Sequence, residues 1–501
     1  MGTAFDPFGR QLYAGGGLRS AAGDGGLDVV NPATLETVGR IADCQPDEIA
    51  GVLAEARAAQ RAWAALDAKA RSVALHRVAD SIERSDHREL CEWMTREMGK
   101  PYPEAQGELA NVAPVYRYYA ELQREDAGQV AGPIQPGTLQ FSRPEPYGVS
   151  LHIVPYNFPI LLFSWGAAAS LAAGNAVVLK PSELTSLCSL AFMKHFDSLP
   201  PGLVSCLPGG PGTGAALIES PDTRVVAFTG SVETGRRVAV ACAERLKPCI
   251  VEAGGNDAMI VTPSVPVEVS AAGAVTACFH LSGQICTSAE RLFVLDEIHD
   301  AFVAEFVAQT RHLRIGEGFG KHEIGPLATE RQRDKVAGLV EAALADGATL
   351  ACGGRVPPAH NTGWYYEPTI LTGVTPEMAI MQGEVFGPVA SICRVPDLEQ
   401  AIALANRSDY GLGATIFTTE TGEAMRAVRE LEAGLVWVNN PLVDNDALPF
   451  GGMKRSGIGR LLGRQGLEAF RQSKFVTLDA EPIRHDWWYP YPDEVFHPGE
   501  G

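Results

Sequence analysis

Between Glu145 and Lys180 the chain carries no Asp, Glu, Lys or Arg, and the short apolar runs "VSLHIV" and "NAVVLK" flank the longer "ILLFSWGAAASLAA". A stretch of this kind belongs either in a bilayer or in a protein core, and its interruptions decide which. Pro155, Asn157 and Pro159 break it early, and Gly174-Asn175 break it late. The uninterrupted piece, 160–173, is shorter than the roughly 20 residues that a spanning helix needs. It predicts a buried helix between two buried strands. The alternation then continues through "SLCSLAFMKHF" (helix), "RVVAFTG" (strand), "ETGRRVAVACAERL" (helix) and "PCIVEAGG" (strand). Continuously apolar strands separated by helices predict βαβ units and a parallel sheet covered on both faces. Ligands of such sheets gather at the carboxyl ends of the strands.

The rest of the chain fits around that unit. Alanine-rich helical periodicity runs from Asp47 to Met98. A second alternating region follows Asp257, with strands in "AMIVTP", "RLFVL", "GATLACGG", "EPTILTGV", "VASICRV", "LGATIFTT" and "GLVWVNN". At 501 residues the chain is expected to form two or three domains. A net charge of −19 argues against general attraction to nucleic acid or anionic membrane. Ten cysteines lie scattered between Cys44 and Cys393, with no C-x-x-C pair and no zinc-site spacing. They predict reduced thiols in a cytoplasm and no metal. The segment "MGTAFDPFGR" lacks the basic and apolar parts of a secretory signal.

In chain order, the strand ends carry the residues able to do chemistry. "VPYNFP" fixes Asn157 between two prolines, which makes its amide a candidate oxyanion donor. An Asx-turn capping the next helix is the commoner use of such a residue. "VLKPSE" puts Lys180 at a strand end and Glu183 three residues on. The pair could hold the adenosine ribose of NAD or form a solvated ion pair. "LPGGPGTG" and "FTGSVETG" are glycine turns leading into helices, neither with the G-x-G-x-x-G fingerprint. Ser231 could hold a pyrophosphate or simply cap its helix. Glu252 ends an apolar strand before Gly254-Gly255, where burial is costly unless the carboxylate is used or paired. Partial burial would raise its pKa towards that of a general base; a surface carboxylate at a domain edge is the alternative. "SGQICTSAERL" sets Cys286 just past a Gly-Gln pair, and "EVFGP" brings Glu384 and Phe386. A free thiol is often only packing, so Cys286 counts as a nucleophile only if a base, an oxyanion site and an acceptor accompany it.

The series "NPAT", "VPYNFP", "VLKPSE", "FTGS", "EAGGN", "GQIC", "EVFGP", "WVNN" and "PFGGMKRSGIGR" spans nearly the whole chain. In content and order it resembles the motifs of the NAD(P)-dependent, non-acylating aldehyde dehydrogenase superfamily. The resemblance implies that Cys286 is the nucleophile and that Asn157 and the Cys286 N–H hold the oxyanion. Glu252 would activate the water that hydrolyses the thioester. NAD, or NADP, would lie along Ile153, Val154, Pro155, Tyr156, Lys180, Ser182, Glu183, Gly209, Phe228, Gly230, Ser231, Thr234, Ala253, Gly254, Glu384 and Phe386. Glu183 favours NAD because a carboxylate repels a 2′-phosphate. Tyr156, Ala253, Asn256 and Leu281 stand where tryptophan, leucine, lysine and asparagine are usual. The implied architecture is α/β, with a Rossmann-like parallel-sheet cofactor domain (1–125 and 147–254) and a second α/β catalytic domain (255–472). A small β bridging element for a homodimer or homotetramer (126–146 and 473–484) and an aromatic, proline-rich tail (485–501) complete it.

By the same resemblance the aldehyde tunnel is lined by Phe158, Leu161, Leu162, Trp165, His280, Ile285, Thr287, Asp444 and Phe450. That lining is largely apolar and aromatic. Succinic semialdehyde dehydrogenases usually carry arginine where Trp165 stands, so the expected substrate is a medium-sized apolar or aromatic aldehyde. Alternatives are a CoA-acylating relative, which needs no hydrolytic base at Glu252, and a cysteine esterase, which leaves Lys180, Glu183 and Glu384 without a purpose.

Overall fold

The computed structural model describes residues 8–23, 25–125, 128–482, 484–485, 487–491 and 493. Expectations for 1–7, 24, 126–127, 483, 486, 492 and 494–501, which include much of the aromatic tail, lie outside the described residues. One sheet gathers β1 (Gln11–Ala14), β2 (Gly17–Ser20), β3 (Val149–Ile153), β4 (Ala176–Lys180), β5 (Val204–Cys206), β6 (Thr223–Thr229) and β7 (Cys249–Glu252). A second gathers β8 (Asp257–Val261), β9 (Ala289–Leu295), β10 (Thr349–Cys352), β11 (Thr369–Thr372), β12 (Val389–Val395), β13 (Gly413–Phe417) and β14 (Leu435–Val438). The short β15 (Gly457–Ile458) then returns to the first sheet, antiparallel to β7.

The first sheet has the spatial order β2-β1-β5-β4-β3-β6-β7-β15. Its five central strands are parallel. Strand order therefore reverses at β3, which opens a crevice between β3 and β6 at their carboxyl ends. The antiparallel β1–β2 edge comes from residues whose alternation the sequence reading passed over. In the second sheet all neighbouring pairs are parallel except β10–β11.

Helices cover the first sheet: α1 (Pro46–Ala64), α2 (Ala68–Arg84), α3 (Arg88–Met98), α4 (Tyr102–Ala110), α5 (Val112–Glu125), α6 (Pro159–Ala173), α7 (Ser186–Phe192), α8 (Pro211–Glu219) and α9 (Val232–Ala243). The charge-free span becomes β3, α6 and β4, and α6 buries every residue from Pro159 to Ala172. Pro159 opens it at a position with no intrahelical acceptor to lose, and Gly174 closes it with φ +100°. Trp63 of α1 donates its indole N–H to Leu171 O of α6 at 2.8 Å, so even the apolar contact between these helices is oriented.

One core joins these helices to the first sheet and also takes in Phe450, Leu461, Leu462, Leu467 and Phe470. Those residues fall in the segment 255–472, so the cores interleave along the chain. Two further cores lie on the opposite faces of the second sheet. Ala258 and Ile260 of β8 enter one, and Met259 and Val261 enter the other, as a period of two demands. Arg471–Asp479 pairs antiparallel with Thr138–Pro146, which also pairs with Val130–Ala131. No helix among the described residues is long and apolar enough to cross a membrane.

Candidate active site

Register brings the strand ends to one level. Ile153 lies opposite both Lys180 and Phe228, and Thr229 opposite Glu252. Val154, Pro155 and Tyr156 follow β3, Ser182 and Glu183 follow β4, Gly230, Ser231 and Thr234 follow β6, and Ala253 and Gly254 follow β7. Ser231 caps α9, accepting the Thr234 N–H at 3.3 Å, as plain helix capping requires. Lys180 is buried, with its Nζ 3.8 Å from the half-exposed Glu183 carboxylate. Burial holds the Lys180 ammonium below its usual range, and Glu183 opposes that shift. Gly209, after β5, has φ +150°, and a Cβ there would lie 2.1 Å from the Thr213 hydroxyl.

Cys286 stands in the loop before β9, and the backbone that delivers it is strained. Leu281, Ser282 and Gly283 have φ of +54°, +55° and +71° in succession. Two of these are non-glycine residues in the left-handed region, a conformation that persists only where surroundings enforce it. The enforcement is visible. Leu281 N–H donates to Glu104 Oε1 at 3.0 Å, Ser282 Oγ to Gly325 O at 2.9 Å, and Ala328 N–H to Gln284 Oε1 at 3.0 Å. A Cβ on Gly255 would come within 2.1 Å of Cys286 O, so the turn after Glu252 touches the cysteine loop only because that residue is glycine.

Asn157 joins this loop from the other side. Its Nδ2 donates to Gln284 O at 2.9 Å, and its Oδ1 is buried without a partner. An amide nitrogen carries two hydrogens, so one remains to be given. Glu252 is buried, and neither carboxyl oxygen has a hydrogen-bond partner. Burial drives its pKa well up, and Arg460 pulls it back. The carboxyl lies against Gly451, where a Cβ would sit 2.6 Å from Oε1. The Cys286 thiol is likewise held high, by burial first and then by Asp257, Glu384, Asp444 and Glu252. Glu252 therefore acts on the sulfur electrostatically while its oxygens face the Gly451 turn.

A cavity of about 420 Å³ opens onto Cys286. All nine residues expected from the sequence line it: Phe158, Leu161, Leu162, Trp165, His280, Ile285, Thr287, Asp444 and Phe450. Trp165 and Phe450 pack with ring centroids 4.7 Å apart. Pro103, Glu104, Glu108 and Asn111, from α4 and its flanks, also line it, and the sequence reading missed them. They sit in "KPYPEAQGELAN", where no strand end or glycine turn marks a site. Glu104 pairs with His280 at 3.2 Å and keeps Oε2 buried without a partner. Asp444 is an exposed residue whose carboxyl is partly desolvated by the cavity walls, which raises it to about 6.

Behind the cysteine, the Glu384 carboxyl packs on Gly254, where a Cβ would meet it at 2.3 Å, and accepts the Gly255 N–H at 3.2 Å. Burial, then Glu290, raises Glu384 to about 8, while Lys335 and the Gly255 N–H oppose them. Phe386, with φ +55°, meets Tyr156 edge-on at 6.1 Å. Its N–H donates to the buried Glu290 carboxylate at 2.8 Å, and Gln332 Nε2 donates to its carbonyl at 2.8 Å. Among the described residues no group of three or more His, Cys, Asp or Glu is arranged to hold a metal ion.

The thiol thus borders the cavity, the Asn157 amide meets the cysteine loop at Gln284, and the buried Glu252 carboxyl ends the strand next to β6. The family model described as the aldehyde dehydrogenase family matches residues 19–476. The chain belongs to that family. It is 34% identical over 486 residues to a betaine aldehyde dehydrogenase of Bacillus subtilis (strain 168), covering 95% of this chain and 99% of the relative. A betaine aldehyde dehydrogenase from Staphylococcus aureus, solved with NAD+, superposes with a TM-score of 0.92 at 30% identity, over 96% of this chain and 97% of that one. An NAD+ complex of an aldehyde dehydrogenase from Bacillus cereus gives 0.92 at 34% identity, over 95% and 98%. As a member of the aldehyde dehydrogenase family the chain is an oxidoreductase acting on aldehydes.

Proposed function

We propose that the chain oxidises an aldehyde to a carboxylic acid with NAD as acceptor, using Cys286 as nucleophile, Asn157 as oxyanion donor and Glu252 as hydrolytic base. The observation that carries this reading is the Asn157–Gln284 contact, which holds a spare amide hydrogen beside the cysteine loop. The cofactor assignment is supported by chemistry in this chain. The crevice at β3 and β6, the start of α9 at Ser231, the Lys180–Glu183 pair and the Glu384 carboxyl over Gly254 suit a dinucleotide's pyrophosphate and two riboses. The NAD+ complexes of the S. aureus and B. cereus relatives support the same assignment.

The thiolate of Cys286 attacks the aldehyde carbon, and Asn157 Nδ2–H and the Cys286 N–H hold the oxygen as it becomes anionic. When bound, NAD supplies the acceptor for the hydride that the resulting thiohemiacetal loses. Glu252, once deprotonated, takes a proton from the water that cleaves the thioester. Because burial raises both the Cys286 thiol and the Glu252 carboxyl above their usual ranges, turnover is expected to rise with pH as each loses its proton.

The apolar and aromatic lining supports a medium-sized apolar or aromatic aldehyde, and the absence of arginine from that lining argues against succinic semialdehyde. A second reading, an aldehyde bearing an ammonium group, is favoured by the Asp444 carboxyl in the cavity lining and the unpartnered Glu104 oxygen, and by the likeness to the betaine aldehyde dehydrogenase of B. subtilis. Glu183 supports NAD over NADP. The unpaired state of all ten cysteines supports a cytoplasmic location. The three-stranded sheet ending in Arg471–Asp479 supports a homodimer or homotetramer.

The deciding experiment is NADH formation over a panel of hexanal, benzaldehyde, succinic semialdehyde and an ammonium-bearing aldehyde, with Cys286→Ala as control. Loss of at least about 10³-fold in kcat is expected for the variant. Undiminished NADH formation ends the proposal, as does a requirement for added CoA.

A further inference from the structure

A cation and a carboxylate to which the reaction steps above give no part lie directly behind the candidate oxyanion donor, the carboxylate also bordering the aldehyde cavity. Lys100, just past the end of α3, and Glu108, on α4, have side chains with no exposed surface, and their Nζ and Oε2 are 2.6 Å apart. Lys100 Nζ also donates to the backbone carbonyl of Asn157 at 2.6 Å and stands 4.8 Å over the Phe158 ring. Glu108 Oε1 accepts the N–H groups of Ile160 at 2.8 Å and Leu161 at 3.0 Å. These are first-turn amides of α6, whose own N-cap residue, Phe158, supplies no side-chain acceptor.

Two charges taken wholly out of water are expensive, and well-packed apolar residues often replace such a pair without loss of stability. Its presence therefore calls for a use. Every remaining bond the pair makes goes to the segment 157–161, which carries Asn157 at one end and leads at the other, from Leu161, into the cavity walls Leu162 and Trp165.

Resting on the reading of Asn157 as oxyanion donor, we infer that Lys100 and Glu108 are positioning residues: a charged clamp that fixes the Asn157 peptide and the start of α6, and so the direction of the Asn157 amide. The clamp reaches the donor through its own peptide and through the helix start that follows it. Lys100 grips the Asn157 carbonyl oxygen, Glu108 grips the next free amides, and Gln284 O takes one Nδ2 hydrogen. The other hydrogen is left with a single direction. A rotation that shifts it by about 1 Å is enough to cost on the order of 10²-fold in rate.

The test is a double-mutant cycle on the full-length protein. Asn157→Ala is expected to lower kcat by roughly 10²–10³-fold. Lys100→Met with Glu108→Gln removes both charges and nearly keeps both shapes. It is expected to lower kcat at least about tenfold while KM for NAD moves less than about threefold. The discriminating measurement is the same pair of changes in the Asn157→Ala background, where a clamp acting through Asn157 now alters kcat by less than about twofold. Should the charge-free pair fail to fold, Glu108→Gln alone, which keeps an acceptor oxygen for Ile160 and Leu161, enters the same cycle. A folded variant with kcat within about twofold of the parent overturns the inference, and so does an effect that persists undiminished without Asn157. If Asn157→Ala itself retains full kcat, it is the oxyanion reading that has failed.

Discussion

At the residue scale the site is dominated by carboxyl groups held out of water. Glu384 gives the clearest consequence. Its carboxyl ionises near 4.5 in an unfolded chain and near 8 in the fold. Between those values the folded protein keeps a proton that the unfolded chain has released, so stability falls as pH rises. The contribution is fully present below about 4.5 and gone once pH passes about 8. The cofactor-free protein should accordingly lose thermal midpoint between pH 5 and 8 faster than Glu384→Gln, which is neutral throughout. Parallel curves for the two proteins, followed by calorimetry, would falsify this account of Glu384. The sequence showed Glu252, Cys286 and Glu384 because each stands at a strand end or in a specific motif. It was silent on Lys100, Glu104 and Glu108, whose importance comes from what folds over them.

At the scale of elements, the parallel strands and α6 were legible because burial on both faces leaves long unbroken apolar runs. Strands β1 and β15 were not. Each is two to four residues long: β1 pairs mainly with the equally short β2, and β15 with only two residues of the distant β7. The cysteine loop was legible as a motif but not as a conformation, since nothing in "HLSGQIC" announces three successive left-handed residues. Gly283 is the member that tolerates no substitution. It combines φ +71° with a backbone approach that would bring a Cβ to 2.1 Å from Gly387 O. Because the obstruction is a carbonyl in the loop that carries Glu384 and Phe386, Gly283→Ala must move one loop or the other. A destabilisation of about 1–3 kcal/mol is expected, with a fall in kcat larger than the fall in NAD affinity. Urea unfolding and NAD titration measure the two effects, and a variant matching the parent in both would show that the loops yield freely.

For the whole molecule, the longest strand at a sheet edge among the described residues is the last one. Arg471–Asp479 is nine residues long and pairs with Thr138–Pro146 on one side, while its other edge ends the sheet. An unprotected edge of that length invites pairing with another chain. Phe475 and Leu478 on this strand are 71% and 53% exposed, and Leu139 and Val130 in the same sheet are also exposed. A single exposed leucine needs no explanation, but several on one small sheet mark a surface that association would cover. Lys474 Nζ is already paired within the chain, with Glu145 at 2.5 Å. The exposed apolar side chains and the strand edge are what this surface offers a second copy. Phe475→Glu with Leu478→Glu is expected to give single chains in light scattering where the parent associates through this edge, and to leave the fold of both large sheets intact by circular dichroism. The candidate active-site residues named above lie on other elements, so the charged variant should still form NADH, with a loss limited to about tenfold. If the charged variant keeps the parent's mass in solution, the sheet edge is not what holds copies together.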